Sequence, residues 1–338
     1  MRAVVIEKPG KMVIKDVPKP VIQPDEVLIK VQSASICNAT DGHIFHGVFD
    51  GYHDFYPQIA GHEVAGAVVE IGADVKDVNI GDLFMQYTTQ GAFCEYSVVN
   101  LKTGLYARVP ESIPLRARSL LEMFHGAYVS TVWPAQIKPE ETVLVVGQGP
   151  MGLTAAIGAK LTAKQVITVD FFENRLEKSR EFGMDLVLDR SKLSPAEIVQ
   201  KVLDATDGKG ADVVIMAISE DRSEKSDAYD MAIDAMKEGG RMTGLFVDMK
   251  GVGQNQRINP RQFLRKEAVF AHTLNDVYTC WNDQLVAFQQ VVDTVAEKGI
   301  PLEKMITHEI GFDGVEEAVR LCAEDLENVI KVVVYPDR

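Results

Sequence analysis

The sequence predicts an α/β chain, with a β-rich first domain followed by a doubly wound parallel sheet. Three observations predict it. The first is length: 338 residues exceed the size at which a single hydrophobic core usually stops growing, so two domains are expected. The second is a change of texture near residue 140. Before it, β-branched segments are separated by Gly, Pro and Asp turns; after it, short apolar runs alternate with helical patterns. The third is a glycine-rich turn, Gly147-x-Gly149-x-x-Gly152, where one of those runs meets the helix that follows.

The elements follow in order. MRAVVIEKPGKMVIKD (1–16) alternates like a strand, turns at Pro9-Gly10 and alternates again. EVLIKVQSASI (26–36), GAVVEIG (66–72) and CEYSVV (94–99) read as further strands. TVLVVG (142–147) is a continuous apolar run, as expected of a strand buried on both faces. PMGLTAAIGAKLT then places Leu153, Ile157 and Leu161 at helical spacing. QVITVD (165–170), MDLVLD (184–189), ADVVIMAI (211–218) and RMTGLFV (241–247) continue as strands with helix-like stretches between them, which implies βαβ units. The tail contains helical segments and ends in the strand-like VIKVVVYP, read as returning to the first domain. The expected division is 1–121, 122–274 and 275–338.

The glycine turn has a specific mechanics. Gly147 makes the tight turn, Gly149 lets backbone N–H groups approach a pyrophosphate, and Gly152 lets helix and strand pack closely. The helix N-terminus adds positive potential. Asp170 ends the next strand 18 residues beyond Gly152, where a carboxylate accepts hydrogen bonds from ribose hydroxyls and repels a 2′-phosphate. Phe171 and Phe172 follow it with no adjacent Arg, so NAD is expected rather than NADP. Pro150 and Met151 at the helix start, and Arg175 beyond Asp170, complete the candidate coenzyme residues. Without this context three glycines make only a turn and Asp170 only a helix cap. The strand–turn–helix–strand context favours the dinucleotide-binding Rossmann fold.

Composition narrows the partners. There are 35 basic and 49 acidic residues, a formal charge of −14, which argues against nucleic acid or an anionic membrane. No apolar run approaches the roughly 18–20 residues of a membrane span, and the first apolar run is too short for a signal peptide. Cys37, Cys94, Cys280 and Cys322 are scattered and form no CxxC, so a reducing cytoplasm is expected rather than a disulfide framework.

One stretch poses a chemical question. IAGHEVAGAVVEIG (59–72) sets His62 and Glu63 side by side in an apolar run, and a strand does not bury a carboxylate without a partner. A lone His–Glu pair is usually a satisfied core pair. Upstream, however, SICNATDGHIFHG offers Cys37, Thr40, Asp41 and His43, and thiolate with imidazole suits Zn²⁺.

These motifs, in this order, resemble the zinc-dependent medium-chain dehydrogenase/reductase family, of the alcohol, sorbitol and threonine dehydrogenase kind. The likeness spans essentially the whole chain: Cys-x-x-Thr-Asp-x-His, Gly-His-Glu-x-x-Gly, Gly81-Asp82, GAFCEY and the glycine loop, then GADVVIMA, EGGRMTGLF and RKEAVFAHT. It implies a GroES-like catalytic domain joined to the Rossmann coenzyme domain, with nicotinamide held in the cleft between them. It implies one catalytic zinc, with Cys37 and His62 as ligands and Glu122 at the third ligand position. Glu63 either binds zinc in one state or stands beside the ligand His, its charge neutralised by the metal. Glu122 otherwise caps a helix or pairs with Arg116 or Arg118.

The implied reaction is reversible oxidation of a secondary alcohol (a polyol, sugar or hydroxy-amino-acid-like substrate) with NAD, a proton leaving through Thr40 and His43. Two departures stand out. The family's hydroxyl follows the Cys by two residues; here that position is Ala39, and Thr40 comes one later. Between Gly81 and Tyr96 the chain has only Cys94, so no structural zinc is expected. His46, Tyr52 and His53 read first as exposed loop, with a polar pocket as the alternative, and Tyr278 and Trp281 as ordinary helix packing, with the cleft or a subunit contact as the alternative. Cys280 and Cys322 read as buried, inert thiols. A homo-oligomer is implied, a tetramer before a dimer, with EAVFAHT able to pair across a two-fold axis. The competing readings are a zinc-free quinone-type reductase and a non-catalytic NAD-binding protein on this scaffold.

Overall fold

The computed structural model describes residues 1–48, 56–88, 91–218, 227–244, 260–271 and 281–338, without the side chains of 260, 262 and 281–286. The chain divides into two compact units: Met1–His125 with Tyr278–Arg338, and Gly126–Val277.

The first unit is built on antiparallel pairing. β1 (Arg2–Lys8) pairs with β2 (Lys11–Asp16) and with β4 (Gln58–Ile59). The larger sheet runs β15 (Ile306–Ile310), β16 (Lys331–Val334), β3 (Glu26–Ser35), β5 (Glu63–Ile71), β6 (Leu83–Tyr87) and β8 (Leu105–Arg108), with β7 (Tyr96–Asn100) paired to β3. The C-terminal strand therefore sits directly beside β3, with Val333 opposite Ser35. The core beneath gathers Val4, Ile6, Ile36, Phe45, Val64, Phe93 and Phe312, all almost without solvent contact. A thiol, an imidazole and an amine that emerge from adjacent strand ends over such a core are held in one place.

The second unit is a parallel sheet in the order β11 (Leu186–Asp189), β10 (Gln165–Asp170), β9 (Thr142–Val146), β12 (Ala211–Met216), β13 (Met236–Gly244), β14 (Val269–Phe270). Every residue of β9 is buried, as its uninterrupted TVLVV demands. Strand order reverses between β9 and β12, and ligands of open α/β sheets bind outside the strand ends at such a switch point. β13 begins earlier than the run RMTGLFV suggests. The strand passes through Gly239-Gly240 with a register irregularity against β12. Residues 245–247 of that run, and 272–273 of EAVFAHT, lie outside the described residues.

Candidate functional site

In the first unit, the register of β3 against β5 sets Ser35 opposite Glu63. Cys37 lies just past the end of β3 and His62 just before the start of β5, so one strand pair delivers a thiol and an imidazole to the same spot. Donor atoms of Cys37, His62 and Glu63 lie within 4.8 Å of one another. His62 and Glu63 are buried, and Cys37 is half-buried.

The extra residue after Cys37 is absorbed by one helical turn. Cys37 and Asp41 stand i, i+4, and the Asp41 N–H donates to the Cys37 carbonyl at 3.2 Å. The Cys37 N–H in turn donates to Asp41 Oδ2 at 2.9 Å. Asp41 Oδ1 stands 3.5 Å from His62 Nδ1, and His62 Nε2 lies on the side of Glu63, 4.0 Å from its Oε1. Burial pulls the His62 pKa down, yet the Asp41 carboxylate and Cys37 outweigh it and raise it well above the ordinary imidazole value. Thr40 opens the short helix α1 (Thr40–Phe45) and His43 lies in its last turn; at i, i+3 they share a face. Both are half-buried, whereas His46, just beyond, is exposed. Tyr52, His53, Tyr278, Cys280 and the Trp281 side chain lie outside the described residues.

Glu63 has a partner that the sequence reading missed. Lys331, 1% exposed, brings Nζ to 2.7 Å from Oε2 and 2.9 Å from Oε1, and Nζ also donates to the Ile36 carbonyl at 2.8 Å. Ser35 Oγ donates to Oε2. The sequence expects a metal to neutralise Glu63; the structure adds a cation of the protein's own beside it. Burial pulls the Lys331 pKa down, and the Glu63 charge more than restores it, leaving it above the usual lysine value. The available signal was a lysine in the middle of VIKVVV, since Lys is almost never buried unpaired.

Glu122 sits in the first turn of helix α2 (Leu120–Ala127) and is outside the 4.8 Å set. Loss of water, and then the charge on Glu63, push its carboxyl up to about 7. Neither suggested arginine is bonded to it: Arg118 donates to Gln32 Oε1 at 2.8 Å and to the Ile113 carbonyl at 3.1 Å, and Arg116 stands 3.5 Å from Glu309. Buried Asp41 and Glu63 and half-buried Glu122 thus interact electrostatically beside a half-buried thiol, and Lys331 is the fixed cation there among the described residues. A soft and borderline donor pair flanked by carboxylates fits a divalent, thiophilic cation. Cys94, buried and pushed up to about 12 mainly by desolvation, is by contrast a thiol that stays protonated.

In the second unit, the glycine loop joins β9 to helix α3 (Pro150–Lys160). Gly147 takes φ +93°, and a Cβ there would sit 2.5 Å from the Ala217 carbonyl at the end of β12. A Cβ on Gly152 would run into the Gly147 carbonyl oxygen, so only glycine permits this strand–helix approach. Gly149 is the N-cap, and no side chain caps the helix. Pro150 has no N–H, which leaves the Met151 and Gly152 N–H groups as the donors of the first turn.

Asp170 is buried and already engaged. Its Oδ1 accepts from the Phe171 and Phe172 N–H groups at 2.7 and 2.9 Å, and its Oδ2 from the Gln148 N–H at 2.6 Å. Arg175, in helix α4 (Glu173–Glu181), brings its guanidinium to 3.7 Å from Oδ2 and stacks on Phe172 at 4.9 Å. The sequence reading found no arginine next to Asp170; one helical turn brings one there.

Residues 23–133 match the family model of the alcohol dehydrogenase GroES-like domain, and residues 150–296 that of the zinc-binding dehydrogenases. The chain is 31% identical to L-threonine 3-dehydrogenase of Pyrococcus horikoshii, covering 95% of both chains. It is 25% identical to D-xylulose reductase of Saccharomyces cerevisiae, covering 99% of this chain and 98% of that one. Among solved structures, the alcohol dehydrogenase TADH from Thermus sp. ATN1 is similar in fold, with a TM-score of 0.81 at 22% identity over 99% of both chains.

Proposed function

The chain belongs to the zinc-dependent medium-chain dehydrogenases, and from that premise we propose that it catalyses reversible hydride transfer between a secondary alcohol and NAD. The substrate class is a polyol, a sugar or a hydroxy amino acid, in keeping with the threonine and xylulose named for its relatives. The observation that carries the reading is the gathering of Cys37, His62 and Glu63 within 4.8 Å, at the ends of two paired strands.

Cys37 and His62 would hold the zinc, with Glu122 as the third ligand and Glu63 close behind. When bound, zinc supplies Lewis acidity that favours the alkoxide form of an alcohol. The chain's own residues do the rest. Asp41 braces His62 at Nδ1 and Cys37 at its backbone N–H, so both donors are oriented before any metal arrives. Lys331 and Ser35 hold the Glu63 carboxylate in place. Thr40 and His43, on one face of α1, would carry the alcohol proton away. The glycine loop receives the dinucleotide.

The test is NADH formation by the zinc-loaded chain across a panel of secondary alcohols. Turnover with at least one polyol or hydroxy amino acid, faster with NAD than with NADP, is expected; no turnover with any member would overturn the reading.

No helix among the described residues is long and apolar enough to cross a membrane. Cys37, Cys94 and Cys322 are free thiols, which suits a reducing cytoplasm. We also assign a homo-oligomer. The short edge strand β14 exposes Val269 and Phe270, and Leu264 nearby is 77% exposed. Light scattering should give a multimer, and Phe270→Asp should lower its mass; a monomeric wild type would refute the assignment.

A further inference from the structure

We propose that Gln148, shut inside the glycine loop, is a positioning residue for dinucleotide binding, acting together with Ser179. The inference rests on the reading of this loop as the coenzyme site.

Gln148 stands between two glycines and has no exposed surface. Its Nε2 donates to the Gly147 carbonyl at 2.7 Å and reaches the Val145 carbonyl at 3.4 Å, while its Oε1 accepts from Ser179 Oγ at 3.0 Å. The orientation of the amide follows from chemistry, because Nε2 faces two carbonyl oxygens and Oε1 faces a hydroxyl. The backbone N–H of the same residue goes to Asp170. One residue thus ties the loop to the end of β9, the end of β10 and the body of α4.

Ser179, also without exposed surface, lies 3.1 Å from the Arg175 carbonyl. A helical serine satisfies itself on that carbonyl without help, so its single proton is shared. Filling this space does not require an amide; a leucine of similar size would do so without a polar group to desolvate. What the amide adds is conformation. Gly147-Gln148-Gly149 would otherwise be among the freest tripeptides in the chain. The Gln148 side chain fixes the peptide plane between Gly147 and Gln148, and so the entry into the first turn of α3. The Met151 and Gly152 N–H groups then keep their aim before ligand arrives, and the ordering cost falls on the fold rather than on binding.

The test uses Gln148→Leu, Ser179→Ala and the double variant of the full chain. NADH affinity is read by fluorescence titration, and KM for NAD and kcat by steady-state kinetics. Each single variant should weaken NADH binding by roughly tenfold, the worth of a buried hydrogen bond. The effect should fall on KM for NAD, with kcat at saturating NAD moving less than about twofold. The double variant should bind no more weakly than Gln148→Leu alone, because both changes remove the same tie. Unchanged affinity in the singles, additive losses in the double, or a loss confined to kcat would each overturn the proposal. Ser179→Ala deletes one hydroxyl and keeps the test decisive if Gln148→Leu does not fold. A wild type that binds no NADH would defeat the coenzyme-site reading and this proposal with it. A wild type that binds NADH, with variants that bind equally well, would defeat this proposal alone.

Discussion

A Cys37→Ala chain is expected to lose its zinc, and its kcat/KM for a secondary alcohol should fall by about a thousandfold or more, the several kcal/mol that Lewis-acid stabilisation is worth. Cys37 is the soft donor of the cluster, and it is half-buried. Removing its thiol therefore opens no large cavity. NADH binding should persist, because the glycine loop lies in the other unit. Elemental analysis, NADH titration and turnover on one preparation separate these outcomes. Wild-type turnover by Cys37→Ala would contradict the assignment of the ligand.

Lys331→Met is expected to destabilise the fold by about 3–5 kcal/mol, the cost of breaking one side of a buried ion pair. The substitution keeps much of the volume and removes the charge, so Glu63 keeps the Ser35 Oγ hydrogen bond and the more distant His62 Nε2, at 4.0 Å, but loses its close cation. The double variant Glu63→Gln, Lys331→Met should recover much of the loss, because neither member then carries an unpaired charge. Denaturant titrations of the two singles and the double give the coupling. A double variant whose loss equals the sum of the singles would show that the pair is not the unit of stabilisation described here.

The coenzyme loop was legible because its signal is local. Strand, glycines, helix and acidic residue follow one another in the chain, and each glycine meets a steric demand set by near neighbours. The metal site was legible only in parts. Cys37 and His62 announce themselves by their motifs, but their approach depends on the register of β3 against β5. Lys331 lies 268 residues from Glu63 and reaches it because β16 pairs with β3. Nothing in the local pattern carries that contact; the only hint is a lysine in an apolar strand. Arg175 reaches Asp170 by the pitch of α4, which a scan for adjacent residues does not see. Gln148 sits at a variable position of the motif, so its role emerges only from its burial and its partners.

The most direct measurement is the zinc content per chain of the purified protein, after loosely bound ions are removed. About one zinc per chain is the predicted result, from a single open site with Cys37 and His62 as ligands. A value that stays at zero when zinc is added back would contradict the account, and about two would reveal a second site that the scattered cysteines do not explain.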